Sequence, residues 1–475
     1  MALERFDAVI IGSGQGGTPL ALAFARAGRT TALVERAAVG GTCVNTGCTP
    51  TKTLVGNADV VHTVRHSGEY GVHTGPVSVD MVAIRARKQQ IVDRFRDGSL
   101  SQIENARNLE LIRGEASFSG PKTLDVRLHE GGTRQITADV IVLDTGSRSR
   151  VPPIAGLDRV NYLDNTTVME LETLPPHLLI VGGGYIGVEF AQIFQRFGSD
   201  VTLVQHSDQL LTREDPDIAQ EVAAILRDDG ITVLLNAELT HVEPDGDGLR
   251  AVISAPDGER TVTASHLLLA VGRVPNTDTL NLPAAGVKMD DNGYIRVNDR
   301  LETSAPGINA IGDVKGGPAF THISYDDYRV LRTNLLEGGQ ASIKGRMVPY
   351  VVFMDPQLAR IGLSEQDASR LDCRCQVATL SMNRVARAIE TGNTRGVMKA
   401  VVDAETQEIL GFTILGMDGG ELMSLVQVAM MGKLPYTALR DGIFAHPTLA
   451  EAVNNLFLKL SDVERVAPAT RQAVG

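Results

Sequence analysis

Phe6-Asp7-Ala8-Val9-Ile10-Ile11-Gly12-Ser13-Gly14-Gln15-Gly16-Gly17 is a mostly apolar run that ends in a glycine turn. Gly12, Gly14 and Gly17 stand at the spacing G-x-G-x-x-G, residues 20–27 read as a helix, and Thr31-Ala32-Leu33-Val34 reads as a second strand ending at Glu35. Strand, glycine turn, helix and strand in that order make a dinucleotide-binding unit. The glycines let backbone N–H groups approach a pyrophosphate at a helix N-terminus. A carboxylate about 20 residues downstream, here Glu35, accepts hydrogen bonds from ribose hydroxyls. The glycine spacing alone is weak evidence; the complete unit is specific.

The pattern recurs. Leu178-Leu179-Ile180-Val181 reads as a strand, Gly182, Gly184 and Gly187 repeat the spacing, and a helix over 189–197 leads to the strand Val201-Thr202-Leu203-Val204. The residue after that strand is Gln205, so the carboxylate that would repel a 2′-phosphate is missing. His206 and Arg213 are nearby cations. This predicts NADPH over NADH.

Between the two units lies Cys43-Val44-Asn45-Thr46-Gly47-Cys48. A thiol pair beside a dinucleotide site can exchange electrons with a cofactor ring. Two dinucleotide units around it imply two cofactors, one supplying hydride and one passing electrons to sulfur. Cys48 precedes Thr49-Pro50, and proline is favoured at the first helical position, so a helix is expected whose positive end favours a thiolate at Cys48.

The bulk numbers agree with a multidomain enzyme. The 475 residues exceed one core and suggest about three domains at ~150 residues each. A net charge of -12 argues against nucleic-acid binding. No apolar run reaches the ~18–20 residues of a membrane span. Four cysteines do not make a secreted disulfide framework. The strand starting at Phe6 leaves no room for a cleavable leader, so a cytoplasmic location is expected.

Gly40-Gly41-Thr42-Cys43-Val44-Asn45-Thr46-Gly47-Cys48-Thr49-Pro50-Thr51-Lys52 resembles the redox-disulfide motif of the flavin-dependent pyridine nucleotide–disulfide oxidoreductases, the family of glutathione reductase, lipoamide dehydrogenase and mercuric reductase. The resemblance covers essentially the whole chain. Asp144-Thr145-Gly146-Ser147 is similar to the loop leaving the flavin domain, and Gly272-Arg273-Val274-Pro275-Asn276-Thr277 to the loop returning to it. Ile308-Asn309-Ala310-Ile311-Gly312-Asp313 is similar to the second flavin motif, Asp355-Pro356-Gln357-Leu358-Ala359-Arg360-Ile361-Gly362 to the start of the interface domain, and His446-Pro447-Thr448-Leu449-Ala450-Glu451 to the C-terminal base motif.

The resemblance implies an α/β fold with two Rossmann-like domains and a C-terminal α+β dimerisation domain. It implies a discontinuous FAD domain over 1–150 and 276–346, an NAD(P) domain over 151–275 and an interface domain over 347–475. Cofactor contacts would come from Gly41, Thr42, Lys52, Thr145, Gly146, Gly272, Arg273 and Asp313 besides the glycine turns, with Asp313 on the ribitol. Hydride from NAD(P)H would enter through FAD and reach a Cys43–Cys48 disulfide, with Cys48 against the flavin and Cys43 as the outer thiol. Lys52 would sit near the flavin and pair with Glu189, and Tyr185 would cover the nicotinamide pocket. His446 would be the acid–base, a residue type suited to moving protons near neutral pH, with Glu451 orienting it. A homodimer is implied, because the base motif enters the partner subunit's site, and the His446-Pro447 bond is expected to be cis.

Several positions depart from the named relatives. Phe444-Ala445-His446-Pro447 stands where glutathione reductase and lipoamide dehydrogenase have His-x-His-Pro. The C-terminal cysteine pair of mercuric reductase is missing, which argues against mercury detoxification, yet Thr321-His322-Ile323-Ser324-Tyr325-Asp326-Asp327-Tyr328 and Arg384-Val385-Ala386-Arg387-Ala388 look most like the mercuric-reductase-like group. The leading expectation is a reductase of a small oxidised thiol. The alternatives are a metal-ion reductase for Hg(II) or Cu(II), and a dihydrolipoamide dehydrogenase-type subunit of a multienzyme complex, against which Gln205 argues. Cys373 and Cys375 form a Cys-x-Cys pair able to hold a thiophilic metal, but further ligands are not adjacent and no metal site is assigned. The basic helix-like stretch 85–96 has one apolar face and no assigned binding role.

Overall fold

The computed structural model describes residues 3–370 and 374–462. The chain forms two compact units, one built from Met1–Pro153, Tyr162–Leu174 and Leu268–Arg346, the other from Ile154–Asn161, Pro175–Leu267 and Met347–Gly475.

The first unit is organised on the strand Leu3–Ile11, which runs parallel to Thr31–Glu35 on one side and to Thr133–Leu143 on the other, with Ile10 opposite both Leu33 and Val142. The sheet continues through Leu109–Gly120 beyond Thr31–Glu35 and through Ile308–Ala310 beyond Thr133–Leu143, both parallel. Thr123–Leu128 pairs antiparallel with Leu109–Gly120 and Thr133–Leu143. The first strand begins earlier than the hydrophobic run suggests because Leu3 still pairs with Gln135. Alternate side chains enter two cores: Val9 and Ile11 pack with Val34, Ile141 and Ala310, while Ala8 and Ile10 pack with Leu20, Phe24, Leu33 and Leu331. Both faces are therefore covered, which explains why the strand reads as continuously apolar. Each such buried aliphatic side chain contributes roughly 1.5–3 kcal/mol.

The loops that leave and re-enter this unit run together. Ser147–Ser149 pairs antiparallel with Arg273–Pro275, and backbone bonds join Arg150 to Gly272 at 3.0 Å and Asn276 to Gly146 at 3.0 Å.

In the second unit the parallel strands Thr232–Leu234, Asp200–Val204 and His177–Val181 lie side by side in that order. The helix Tyr185–Phe197 follows the glycine turn and buries Val188, Phe190, Phe194 and Phe197. An antiparallel sheet of Glu238–Asp245, Gly248–Ala255 and Gly258–Ala264 follows. The C-terminal sheet runs in the order Tyr350–Val352, Gln357–Gly362, Ile409–Gly416, Val397–Asp403, Cys375–Ser381, Ser461–Asp462, antiparallel at each pairing. Met398, Ala400, Phe412 and Ile414 from this sheet pack with Val426, Val453, Leu456 and Phe457 in one core. The fold is α/β, with parallel strands behind each glycine turn and a separate antiparallel sheet at the C-terminal end.

The basic stretch 85–96 lies inside the helix Met81–Glu104, with Val92 buried and Phe95 exposed. No helix among the described residues is long and apolar enough to cross a membrane.

Candidate active site

The first glycine turn is set by what stands behind it. Gly12 has φ +104°, and a Cβ there would lie 2.2 Å from the Asp144 carbonyl oxygen, so only glycine fits beside this strand end. Gly17 opens the helix Gly17–Arg26, and its N–H donates to Asp144 Oδ2 at 2.7 Å. Glu35 is buried and accepts from Ser13 N at 2.9 Å, Ser13 Oγ at 2.6 Å and Ala37 N at 2.7 Å. It braces the turn; a carboxylate has about four acceptor sites, so capacity for a further hydroxyl donor remains.

Asp144 was legible in sequence only as part of a loop motif. Burial holds its carboxyl well above the usual carboxylate range, and the nearby Asp313, Asp327 and Glu35 push the same way. A carboxyl raised in the fold gives stability that is full below its unfolded value of 3.8 and is lost as pH rises through the folded value. Asp144→Asn keeps an acceptor for Gly17 without the titration. In urea melts at stepped pH, the stability of wild type relative to Asp144→Asn is expected to fall as pH rises from 3.8 toward neutrality. A pH-independent difference would refute this.

Gly41 opens the short helix Gly41–Asn45, which carries Thr42 and Cys43. A Cβ on Gly41 would sit 2.8 Å from Gly14 Cα, so this backbone packs directly on the dinucleotide turn. After Gly47 the chain enters the 19-residue helix Cys48–His66. The helix starts at Cys48 itself, which puts Pro50 third rather than first, still inside the turn where a missing N–H costs nothing. The short helix and turn return the chain so that the Cys43 and Cys48 side chains hydrogen-bond. That bond, then burial, pushes the Cys43 thiol up, while the Thr321 hydroxyl pulls it down. The pair thus gives up one proton far more readily than two. Thr321 is the first residue of the helix Thr321–Leu336, and its Oγ1 lies 3.3 Å from Cys48 Sγ. Two helix N-termini therefore meet at the sulfurs, an arrangement that favours a thiolate. Sequence reading missed this role of Thr321; its only local signal is a hydroxyl residue opening a helix-like run.

Asp313 Oδ2 accepts from Ser147 Oγ at 2.6 Å, and Arg273 donates to Ser147 Oγ and to Ser147 O, each at 2.7 Å. Thr145 Oγ1 donates to Asn276 O at 2.9 Å. Gly312 N donates to the fully buried Asp327, which also takes a 2.6 Å bond from Arg346. The Asp313 loop is thereby held from behind. Lys52 lies one turn beyond Cys48 in the first unit, and Glu189 belongs to the second unit.

In the second unit Gly182, Gly184 and Gly187 form the turn that leads into Tyr185–Phe197. A Cβ on Gly184 would face open space, room suited to a pyrophosphate. Gln205 is buried and accepts from Gly183 N at 2.9 Å, the bond that Glu35 makes to Ser13 in the first unit, without the charge. His206 and Arg213 are exposed. The Tyr185 ring stacks on Tyr350, and Glu189 is buried and accepts from Phe353 N at 2.8 Å. His446 Nδ1 lies 2.8 Å and 3.1 Å from the two Glu451 carboxylate oxygens, and the His446-Pro447 bond is cis. The His446 side chain is 66% exposed. The same domain exposes Val428, Met431, Leu434, Ile443 and Leu458, the kind of apolar surface that a partner covers.

Among the described residues no group of three or more His, Cys, Asp or Glu is placed to hold a metal ion. Cys373 lies outside the described residues, and Cys375 is buried at the start of Cys375–Ser381.

Residues 6–327 match the family model of the pyridine nucleotide-disulphide oxidoreductases, and residues 348–457 match the dimerisation domain of the same family. The chain belongs to the pyridine nucleotide–disulfide oxidoreductase family. It is an oxidoreductase acting on a sulfur group, of a family that uses FAD and a pyridine nucleotide, and it carries the family's dimerisation domain. It is 40% identical over 459 residues to the probable pyridine nucleotide-disulfide oxidoreductase RclA of Escherichia coli, covering 96% of this chain and 99% of that one. It is 36% identical to the mercuric reductase of Streptomyces lividans, covering 94% of each, and 33% identical to the dihydrolipoyl dehydrogenase of Thermus scotoductus, covering 95% and 96%. The structure of the HOCl-induced flavoprotein disulfide reductase RclA from Escherichia coli superposes with a TM-score of 0.86 at 39% identity, covering 95% of this chain and 99% of that one. Its Cu(II) complex gives 0.87 at 39% identity, covering 96% and 99%.

The residues fit both cofactors of this pyridine nucleotide–disulfide oxidoreductase. Backbone donors at a helix start and the buried carboxylate of Glu35 suit FAD. The open space before Gly184 and the neutral Gln205 suit a second dinucleotide.

Proposed function

We propose that this protein is an NADPH-dependent flavoprotein reductase whose Cys43–Cys48 pair delivers electrons to a small oxidised thiol. The observation that carries the reading is the contact of Cys43 and Cys48 with each other and with the Thr321 hydroxyl where two helices begin. We take 1–150 with 276–346 as the FAD domain, 151–275 as the NAD(P) domain, 347–475 as the dimer domain, and the cytoplasm as the location.

When bound, NADPH and FAD supply the two electrons that reduce the disulfide. Cys43 thiolate then attacks a substrate disulfide RS–SR, forming Cys43–S–S–R and expelling RS⁻. His446 of the partner subunit gives that sulfur a proton, having taken one from the Cys43 thiol. Cys48 thiolate attacks Cys43 sulfur, the Cys43–Cys48 disulfide forms, and the second RS⁻ leaves to be protonated. The sum is RS–SR plus two electrons and two protons to two RSH. Glu451 fixes the tautomer by accepting from Nδ1–H, which leaves Nε2 to carry the proton. Lys52 would serve the flavin, Glu189 would serve the reaction from its own unit, and Tyr185 would cover the nicotinamide. Arg213 and His206 would hold the 2′-phosphate, with Gln205 adding no opposing charge.

A second reading, metal-ion reduction by the same thiols, is favoured by the solved Cu(II) complexes of RclA at 39% identity and by the mercuric reductases among the relatives. Soft thiolates suit both ions. The test is NADPH and NADH oxidation by the FAD-loaded protein across a panel of small disulfides, with Hg(II) and Cu(II) salts in parallel. A small disulfide is expected to turn over, faster with NADPH, and to fail in Cys43→Ser. Turnover with metal salts alone would replace the first reading by the second.

A further inference from the structure

Tyr185 opens its helix at the second glycine turn, and its ring lies 5.6 Å from that of Tyr350 with 26° between the planes. Tyr350 begins the strand Tyr350–Val352, outside every motif noted above. Its hydroxyl donates to Glu214 Oε1 at 2.5 Å. Glu214 is buried, with Arg360 Nη1 at 3.5 Å from its other oxygen. Arg360 is fixed in turn by Asp367 Oδ2 at 2.8 Å and the Arg213 carbonyl at 2.7 Å. Burial holds the Glu214 carboxyl above the usual carboxylate range, and burial followed by Glu214 pushes the Tyr350 hydroxyl up. Tyr350 therefore keeps its proton and donates. A ring clamped by a buried hydrogen bond is a rigid shelf, and rigid aromatic pairs have a preferred geometry.

We infer that Tyr350 is a positioning residue for nicotinamide-nucleotide binding, its clamped ring holding Tyr185 in the stacked pose next to the second glycine turn. This rests on the reading of Tyr185 as the residue over the nicotinamide. Tyr350 acts through Tyr185, and Glu214 and Arg360 act through Tyr350.

The test is a double-mutant cycle on the affinity of the FAD-loaded dimer for NADP⁺, read by calorimetry. Tyr350→Leu is expected to raise Kd about 3–10-fold, the range of an aromatic pair, and Tyr350→Phe, which keeps the ring but loses the hydroxyl clamp to Glu214, to raise it by less than Tyr350→Leu but measurably above wild type. In a Tyr185→Ala background the Tyr350→Leu effect is expected to vanish. Persistence of the full effect there would overturn this inference alone. An unchanged Kd in Tyr185→Ala itself would overturn the inference together with the reading of Tyr185. A second measurement does not depend on Tyr350→Leu folding. With 8 tyrosines in the chain, 3-fluorotyrosine labelling gives few ¹⁹F lines, and Tyr185→Phe and Tyr350→Phe each delete one. Adding NADP⁺ is expected to move both the Tyr185 and Tyr350 lines; a Tyr350 line that stays still overturns the proposal.

Discussion

Cys48→Ser is expected to lower disulfide turnover by on the order of 10⁴-fold or more, as loss of a covalent participant does elsewhere. FAD binding and its reduction by NADPH should persist. The argument lies in the local build. Cys48 is the first residue of a long helix and has the Thr321 hydroxyl at 3.3 Å, so its thiolate is favoured twice over. A serine hydroxyl in the same place has no accessible anion near neutral pH and cannot form or break a sulfur–sulfur bond. On the function proposed above, hydride entry would use the glycine turns, Glu35, Gln205 and Asp313, none of which the substitution touches. Stopped-flow absorbance separates the two halves: flavin bleaching by NADPH should stay near the wild-type rate while multiple turnover with a disulfide stops. Sustained turnover in Cys48→Ser would remove the thiol pair from the electron path.

What the sequence disclosed follows from how its constraints are written. A backbone that must approach another backbone is written as glycine at fixed spacing, which is why Gly12 and Gly17 were legible, whereas Gly41 was reached only through the family resemblance. A histidine and a carboxylate five residues apart are local, so His446 and Glu451 could be paired in advance, and they lie 2.8 Å apart. Asp144, Thr321 and Tyr350 carry no such pattern. Asp144 meets Gly17 across 127 positions, Thr321 meets Cys48 across 273, and Tyr350 meets Glu214 across 136. Only the sheet order and the return of the chain at Arg273–Pro275 bring the first two pairs together. Gln205 was read as a missing charge; it also has a structural task, since it accepts from the glycine turn as Glu35 does in the first unit. The helix at Cys48 was anticipated, but its start was misplaced by two residues because proline is tolerated throughout the first turn and not only at its first position.

His446→Ala is the other large effect. Loss of a general acid–base costs about 10²–10⁴-fold, and the loss should fall on thiol–disulfide exchange while flavin reduction is spared. Glu451→Gln, which keeps the side-chain volume and removes the charge, should cost less than His446→Ala, because Nδ1 retains an amide oxygen as acceptor. The exposure of His446 at 66% on a domain with fully exposed Ile443 suggests that its task lies across a dimer boundary. That can be tested by mixing. Cys48→Ser and His446→Ala homodimers are each nearly inactive; dissociated and reassociated at equal amounts, half the dimers are mixed. If the base serves the opposite protomer, one of the two sites in each mixed dimer joins an intact thiol pair to an intact histidine, and about one quarter of wild-type turnover returns. If the base serves its own protomer, both sites in the mixed dimer remain defective and nothing returns. Recovery near one quarter therefore establishes both the role of His446 and the shared construction of the site, whereas no recovery from demonstrably mixed dimers would place the base within a single subunit.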